Sequence, residues 1–160
     1  MNGNLLDVGG GTGRVSSAMS DFVKEIVVTD ISLGMLRQAP RIGVGPVCGG
    51  SESLPFAGES FDRIIMVDAL HHVIDPAKTA REMYRVLKPG GRLVIEEPDI
   101  RTFGVKLIAL AEKLLMMRSR FLAPPEISSL FEKGSSSVRT TDSTTWVIIE
   151  KPVTPLVRPV

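Results

Sequence analysis

Leu5-Leu6-Asp7-Val8-Gly9-Gly10-Gly11-Thr12-Gly13-Arg14-Val15 is the stretch that decides the fold of this 160-residue chain. A short run rich in apolar residues ends in a glycine cluster, after which Val15, Ala18 and Met19 recur at helical spacing. This pattern predicts a strand, a tight turn and a helix. Glycines allow positive φ angles and close approach by a ligand, and the free N–H groups at the start of the helix face the turn. We therefore expect the turn to bind a ligand.

The spacing of the glycines narrows the choice of ligand. They fall as Gly9-x-Gly11-x-Gly13, whereas the dinucleotide fingerprint would place its last glycine where the chain has Arg14. The second predicted strand, residues 26–30, ends in Asp30, about 20 residues after the first glycine, which suits hydrogen bonds to ribose hydroxyls. A ribose site without a pyrophosphate signature indicates a nucleoside ligand and disfavours a nucleotide-dependent oxidoreductase.

The composition is that of an ordinary globular domain, with 43% hydrophobic residues, 23% charged residues and a net charge of +1. The charge balance gives no general reason to expect nucleic acid as a partner. The single cysteine, Cys48, cannot form an internal disulfide, and we expect a reduced, buried thiol. The longest apolar stretch, residues 105–117, contains charges and is too short to span a bilayer. No signal peptide is visible, so a cytoplasmic protein is expected.

The rest of the chain alternates predicted strands and helices. The predicted elements are a helix at 32–39, a weak strand at 46–50, a loop at 51–56, a strand at 61–67, a helix from Asp75-Pro76 to Lys88 ended by Pro89-Gly90-Gly91, a strand at 92–97, helices at 105–118 and 124–131, and a hairpin of 136–141 and 144–150. The alternation predicts right-handed βαβ units and a parallel sheet in one α/β domain, residues 1–151. A proline-rich tail, residues 152–160, is expected to be frayed.

Five short motifs follow one another along the chain. They are Leu5-Leu6-Asp7-Val8-Gly9-Gly10-Gly11-Thr12-Gly13, Val28-Thr29-Asp30-Ile31-Ser32 with Met35-Leu36, Leu54-Pro55-Phe56 with Ser60-Phe61-Asp62, Leu70-His71-His72-Val73 with Asp75-Pro76, and Arg85-Val86-Leu87-Lys88-Pro89-Gly90-Gly91-Arg92-Leu93. In these motifs the chain resembles the class I S-adenosylmethionine-dependent methyltransferases, especially the group around the ubiquinone/menaquinone-biosynthesis C-methyltransferases. The resemblance implies a Rossmann-like, doubly wound sheet of seven strands, in the order 3-2-1-4-5-7-6 with strand seven antiparallel.

The resemblance also implies roles for residues on the cofactor side. The loop containing Gly9, Gly10, Gly11 and Gly13 would back the methionine portion of S-adenosylmethionine, with Asp7 near its ammonium group. Asp30 would take the ribose hydroxyls. Ile31 would pack on the adenine.

The adenine edge departs from the family's pattern. Members usually have an acid directly after the glycine of the third strand, where it reaches the adenine amino group. In this chain Ser51 follows the glycine pair and Glu52 comes next. We therefore expect Ser51 or Glu52 to contact the adenine.

Three residues after the fourth predicted strand are candidates for the acceptor side. His71 or His72 is the only side chain with a near-neutral pKa that could act as a base, although a structural role in the turn is equally compatible with the sequence. Asp68 either faces the ligands, as a further cofactor-side candidate, or bonds to loop amides. No metal site is expected, because adjacent residues at a strand exit should point apart and the chain has no third histidine.

These features predict transfer of a methyl group from S-adenosylmethionine to a small acceptor, for which a hydrophobic molecule is one candidate. Only four residues precede Leu5, whereas family members carry covering helices there, so a minimal or truncated member, or one closed by a partner, is expected. The alternative is a subunit that binds the cofactor but is inactive. The wide apolar face of helix 105–117 predicts a homodimer with contacts at Leu110, Leu114 and Met117.

Overall fold

The computed structural model describes residues 3–39, 44–114, 119–131 and 134–153, without the side chains of 112–114. Its strands are β1 (Asn4–Val8), β2 (Glu25–Asp30), β3 (Val44–Cys48), β4 (Phe61–Val67), β5 (Leu87–Pro98), β6 (Ser135–Thr141) and β7 (Thr144–Glu150). Its helices are α1 (Arg14–Ser17), α2 (Leu33–Leu36), α3 (Pro76–Val86), α4 (Phe103–Leu114) and α5 (Pro124–Ser129), with single 3-10 turns at Ser20–Phe22 and Leu70–His72.

The strands form one sheet in the order β3-β2-β1-β4-β5-β7-β6. Strands β1 to β5 pair in parallel, whereas β7 runs antiparallel to both β5 and β6. The predicted order and the antiparallel seventh strand are therefore confirmed. Because β1 lies between β2 and β4, the loops that follow these three strands open at the same edge of the sheet, where α/β folds of this kind bind ligands.

Both faces of the sheet are covered by helices. Leu5 and Leu6, adjacent in β1, point to opposite faces and are both fully buried. Leu6 belongs to the larger core, which includes Met83 of α3 and Ile127 of α5. Leu5 belongs to the smaller core, which includes Leu36 of α2. Burial of each such side chain contributes about 1.5–3 kcal/mol, so the two cores hold the ligand edge of the sheet in place.

Several predicted boundaries are wrong. Helix α3 ends at Val86, and β5 already starts at Leu87, because a residue before proline disfavours the helical region and Gly90 takes a φ of 77°. Strand β3 starts at Val44 and α4 at Phe103, both earlier than predicted. The predicted helix end near residue 118 lies outside the described residues.

The predicted tail of residues 152–160 is described only at Pro152 and Val153, so the domain boundary at residue 151 stays a prediction. Cys48 is exposed, and the expectation of a buried thiol is wrong. The reason is that β3 is an edge strand, with a strand neighbour on one side only. Within the described residues, no helix combines the length and the apolar character needed to cross a membrane.

Candidate functional site

The glycine loop after β1 adopts a conformation that requires glycine. Gly9, Gly11 and Gly13 have φ angles of 71°, 57° and 68°, a region that other residues rarely enter. The N–H groups of Gly9 and Gly10 both donate to the carbonyl oxygen of Thr29, at 2.8 and 3.1 Å. The loop is thereby folded over the end of β2.

Gly9 and Gly10 are also required by close packing. A Cβ atom at Gly9 would lie 2.8 Å from the Cβ of Ala69, in the turn that follows β4. A Cβ at Gly10 would overlap the carboxylate of Asp7. The loop is therefore held between the β4 exit on one side and the end of β1 on the other.

Asp30, the last residue of β2, connects the loops that follow β1 and β2. Its Oδ2 accepts a hydrogen bond from the Gly11 N–H at 2.9 Å, and its Oδ1 accepts one from the Ser32 N–H at 2.7 Å. The carboxylate is only partly buried and borders a cavity. Since each carboxylate oxygen has two lone pairs, acceptor capacity remains for a ligand's hydroxyl groups.

The cavity at this edge of the sheet has a volume of about 480 Å³, which suits a small molecule. Seven of the predicted site residues line it: Gly9, Asp30, Ile31, Ser51, Glu52, Asp68 and His72. Five others do not line it: Asp7, Gly10, Gly11, Gly13 and His71. The remaining lining residues, which sequence reasoning did not assign to the site, are Met35, Gly49, Gly50, Met66, Ala69, Val73 and Ile74.

A larger groove of about 690 Å³ lies between residues 88–92 and 150–153. None of the predicted site residues lines it, and its prominent charges are already paired. Lys88 Nζ lies 2.9 Å from Asp62 Oδ2, and an Arg92 guanidinium nitrogen lies 2.6 Å from Glu150 Oε1. We therefore assign the ligand site to the smaller cavity beside the glycine loop.

The rim of the cavity carries apolar side chains that folding does not bury. Ile31 is 79% exposed, Ile74 is 92% exposed, and Met35 is also exposed. Exposed apolar side chains grouped around a cavity are typical of a surface that a ligand covers. Ile31 was predicted from the sequence. Ile74 was missed, because a single apolar residue in a loop gives no periodic signal.

Asp7 does not reach the cavity. It is 1% exposed beneath Gly10, and neither carboxylate oxygen has a hydrogen-bond partner in the described part of the chain. Burial raises the pKa of Asp7 to about 6, the negative charge of Asp30 acts in the same direction, and the nearby Ser16 hydroxyl opposes them. The structure thus places the Asp7 side chain beneath the loop. Its position near the ammonium group of a ligand stays a prediction.

Ser51 and Glu52 line the cavity and also brace it. The hydroxyl of Ser51 lies 3.0 Å from the Thr79 hydroxyl of α3. Glu52 Oε1 accepts hydrogen bonds from the N–H groups of Ile74 and Asp75, at 3.1 and 3.4 Å. These contacts fix the loop after β3 against the start of α3, so the predicted adenine edge has a rigid support.

The two histidines occupy different environments. His71 is buried, and its Nδ1 lies 2.6 Å from Glu97 Oε2. His72 lines the cavity, with its Nδ1 3.3 Å from the Ser119 hydroxyl. Their ring centroids are 4.0 Å apart, so the expectation that they point apart is wrong, because they lie on a 3-10 turn and not on an extended strand exit. Of the two histidines, His72 lines the cavity and His71 does not.

Asp68 has a φ of 52° and lines the cavity. Its N–H donates to the Glu96 carbonyl at 2.9 Å, but its carboxylate accepts no hydrogen bond from any loop amide that the structure describes. Of the two roles that the sequence left open, this placement favours the ligand-facing one. Across the described chain, no three histidine, cysteine or acidic side chains converge as metal ligands would.

Comparisons with known proteins bear on this site. The family model described as a methyltransferase domain matches residues 6–95, which contain the glycine loop and the whole cavity wall. The chain is 41% identical over 102 residues to the demethylmenaquinone methyltransferase of Renibacterium salmoninarum, covering 62% of this chain and 43% of that protein. It is 36% identical over 146 residues to the ubiquinone/menaquinone biosynthesis C-methyltransferase UbiE of Klebsiella pneumoniae, covering 84% of this chain and 56% of that protein. The chain thus spans about half the length of these relatives.

Among solved structures, the chain is similar to a SAM-dependent methyltransferase from Thermotoga maritima. The TM-score is 0.81 at 23% sequence identity, and the match covers 93% of this chain and 82% of that one. At this identity the likeness concerns the fold alone, and it agrees with the strand order described above.

Proposed function

Because the chain belongs to the methyltransferase domain family, we propose that it binds S-adenosylmethionine in the cavity beside the glycine loop and transfers the methyl group to a small acceptor. One observation carries this proposal. The end of β2 and the loops that follow β1 and β2 bring Gly9, Asp30 and Ile31 to a single cavity of about 480 Å³. The carboxylate of Asp30 fits the ribose of this cofactor, the exposed side chain of Ile31 fits the adenine, and the glycine loop fits the methionine portion.

The residues present match these parts. The carboxylate of Asp30 accepts from the ribose hydroxyls, and Ile31 offers its exposed face to the adenine ring. The glycine loop leaves room for the methionine portion. The buried charge of Asp7 favours a cation nearby, acting through the loop and not by contact.

The cofactor supplies an activated methyl group on a sulfonium, so the chain must mainly hold the acceptor in line and exclude water. Orientation of this kind can lower a barrier by about 7–11 kcal/mol. His72 borders the cavity, and an imidazole can accept the proton that a phenol or a ring carbon loses on methylation. The apolar rim at Val73 and Ile74 favours a hydrophobic acceptor. We propose that the acceptor resembles demethylmenaquinone, the molecule in the name of the Renibacterium salmoninarum relative, and that it reacts in its reduced, hydroquinone form.

The experiment compares ligands by thermal unfolding and then measures transfer. S-adenosylmethionine or S-adenosylhomocysteine at 100 times its dissociation constant should stabilise the fold by about 2.7 kcal/mol, whereas NAD should not. Radiolabelled methyl groups should then appear on reduced demethylmenaquinone. A fold that NAD stabilises and the methyl-cycle ligands leave unchanged contradicts the proposal.

A second candidate is a subunit that binds the cofactor without transferring the methyl group. The open rim favours it, since a cavity bordered by an Ile74 that is 92% exposed does not by itself exclude water. Binding of S-adenosylhomocysteine without any methyl transfer supports this candidate. Transfer by the chain alone excludes it.

We further propose that the chain pairs with a second copy through α4, where Phe103, Leu107, Ile108 and Leu110 are exposed. Of the predicted contacts, Leu110 is among these exposed side chains, whereas the side chains of Leu114 and Met117 lie outside the described residues. The compartment that we propose is the cytoplasm, where a lone exposed thiol such as Cys48 stays reduced.

A further inference from the structure

Glu97, near the end of β5, does not line the cavity, but it contacts the turn that does. It is 4% exposed. Its Oε1 accepts hydrogen bonds from the N–H groups of Ala69 and Leu70, at 3.0 and 2.6 Å, and its Oε2 lies 2.6 Å from Nδ1 of His71. Three consecutive residues of the turn after β4 therefore converge on one carboxylate.

The burial of this carboxylate is compensated by these three contacts. A carboxylate removed from water is costly unless it is fully hydrogen-bonded, and hydrogen bonds to a charged group are stronger than neutral ones. Because a carboxylate can only accept, the proton in its contact with His71 belongs to Nδ1 of the imidazole. Glu97 thereby fixes the tautomer of His71 as well as the backbone of the turn.

The turn that Glu97 holds forms one wall of the cavity. Asp68, Ala69 and His72 all line it, and Ala69 also packs against Gly9. Asp68 has a φ of 52°, a conformation that persists in a non-glycine residue only when the surroundings hold it. Neighbouring residues of β5 supply that support, the carbonyl of Glu96 bonding to residue 68 and the carboxylate of Glu97 to the residues that follow.

We propose that Glu97 is a positioning residue. Its carboxylate keeps the turn of residues 68–72 in the shape that accepts the ligand, and so sets the affinity of the cavity without touching what binds there. Charge is essential to this role. A glutamine at position 97 would keep one carbonyl oxygen to accept from the backbone N–H groups. Its NH₂ group would then face the Nδ1–H of His71, and two donors cannot bond to each other.

Glu97→Gln tests the proposal, with Glu96→Gln as the matched control. Glu96 is the preceding residue of β5 and carries the same charge, but its Oε2 accepts a hydrogen bond from Trp146 Nε1 at 2.7 Å, away from the turn. By calorimetry well below the unfolding temperature, the dissociation constant of S-adenosylhomocysteine should rise roughly tenfold or more in Glu97→Gln and less than about twofold in Glu96→Gln. Unchanged affinity in a folded Glu97→Gln protein, or an equal loss in the control, overturns the proposal.

The affinity measurement rests on the proposed function, so a second measurement does not use a ligand. The chain has only two histidines, and their imidazole NMR signals can be assigned with His72→Gln. The wild-type protein should show a downfield, slowly exchanging Nδ1–H of His71 and a protected Leu70 amide. Both should be lost in Glu97→Gln.

These NMR signals separate the two proposals. A wild-type protein whose Leu70 amide exchanges like an exposed one, and which lacks the His71 signal, overturns the role of Glu97 even if no variant folds. A wild-type protein that shows both signals but binds no S-adenosylhomocysteine supports the proposal that Glu97 fixes the turn of residues 68–72. The same result contradicts the proposed function.

Discussion

The Oδ2 atom of Asp30 accepts a hydrogen bond from the backbone N–H of Gly11 across 2.9 Å. This contact joins the end of β2 to the glycine loop after β1. Through Oδ1, the same carboxylate also holds the N–H of Ser32 at 2.7 Å. Asp30 therefore orders the glycine loop, and in the proposed function it also offers lone pairs to the ligand.

Asp30→Ala should weaken binding of S-adenosylhomocysteine by about 2–4 kcal/mol, because the ribose hydroxyls lose a charged acceptor and the loop loses its tie. Asp30→Asn should weaken binding less, since its side-chain carbonyl oxygen can still accept a hydrogen bond from one backbone N–H. Titration calorimetry measures both, with circular dichroism to check the fold. Asp21→Ala, at an exposed site, serves as the control. Full affinity in a folded Asp30→Ala protein would place the ribose elsewhere.

Ile31→Ser should separate binding from stability. The side chain is 79% exposed, so its removal should change the free energy of unfolding by no more than about 0.5 kcal/mol. Ligand affinity should fall by about 1–2 kcal/mol, because the adenine loses its apolar contact. Phe22→Ser, at another exposed apolar residue, should alter neither quantity. A variant that binds as tightly as the wild type would remove Ile31 from the site.

Gly10→Ala should distort the glycine loop. A Cβ at this position overlaps the carboxylate of Asp7, and relief of such overpacking typically costs about 1–3 kcal/mol. Chemical denaturation should show this loss, and Asp7→Ala in the same chain should restore part of it. Gly104→Ala is the control, since a Cβ there has no atom within 4 Å. Equal stability of the two single variants would contradict the described packing.

Asp7→Asn should change how stability depends on pH. Burial raises the pKa of Asp7 from 3.8 to about 6, so the folded protein binds the proton more tightly than the unfolded chain. The stabilisation is therefore fully present below pH about 4 and is lost as the pH rises through about 6. The loss amounts to about 3 kcal/mol.

Urea denaturation between pH 4 and pH 7.5 measures this effect. Over that range the wild type should lose about 2 kcal/mol more stability than Asp7→Asn, whose side chain does not titrate, because part of the total is already lost at pH 4. Asp21→Asn should follow the wild-type profile. Parallel profiles for the wild type and Asp7→Asn would show that Asp7 has no raised pKa.

Much of the fold follows from patterns that are local in sequence. The apolar runs, the glycine turn and the Asp75-Pro76 helix start specify the βα units, and the family resemblance supplies the strand order. Side-chain placement follows less well. The burial of Asp7 beneath Gly10 could not be predicted from the sequence, because it depends on the three-dimensional path of the backbone. The role of Glu97 has no sequence motif that would predict it, because its hydrogen-bond partners lie 26 to 28 residues earlier in the chain.

Helix α4 carries the last prediction, which concerns self-association. Phe103 is 82% exposed, and Leu107, Ile108 and Leu110 are also exposed, so an apolar face lacks cover in the described structure. Each such side chain left in water forgoes about 1.5–3 kcal/mol of burial. Several together are enough to favour pairing with a second copy.

Leu110→Glu should therefore shift the protein from dimer to monomer, because pairing would bury two like charges in an apolar contact. Light scattering over a concentration series measures the mass of the parent chain and of the variant. Phe22→Glu places the same charge at an exposed apolar residue away from α4, and this variant should keep the dimer mass of the parent chain. A parent chain that remains monomeric at tens of micromolar, without ligand or detergent, would show that α4 needs no second copy to cover it.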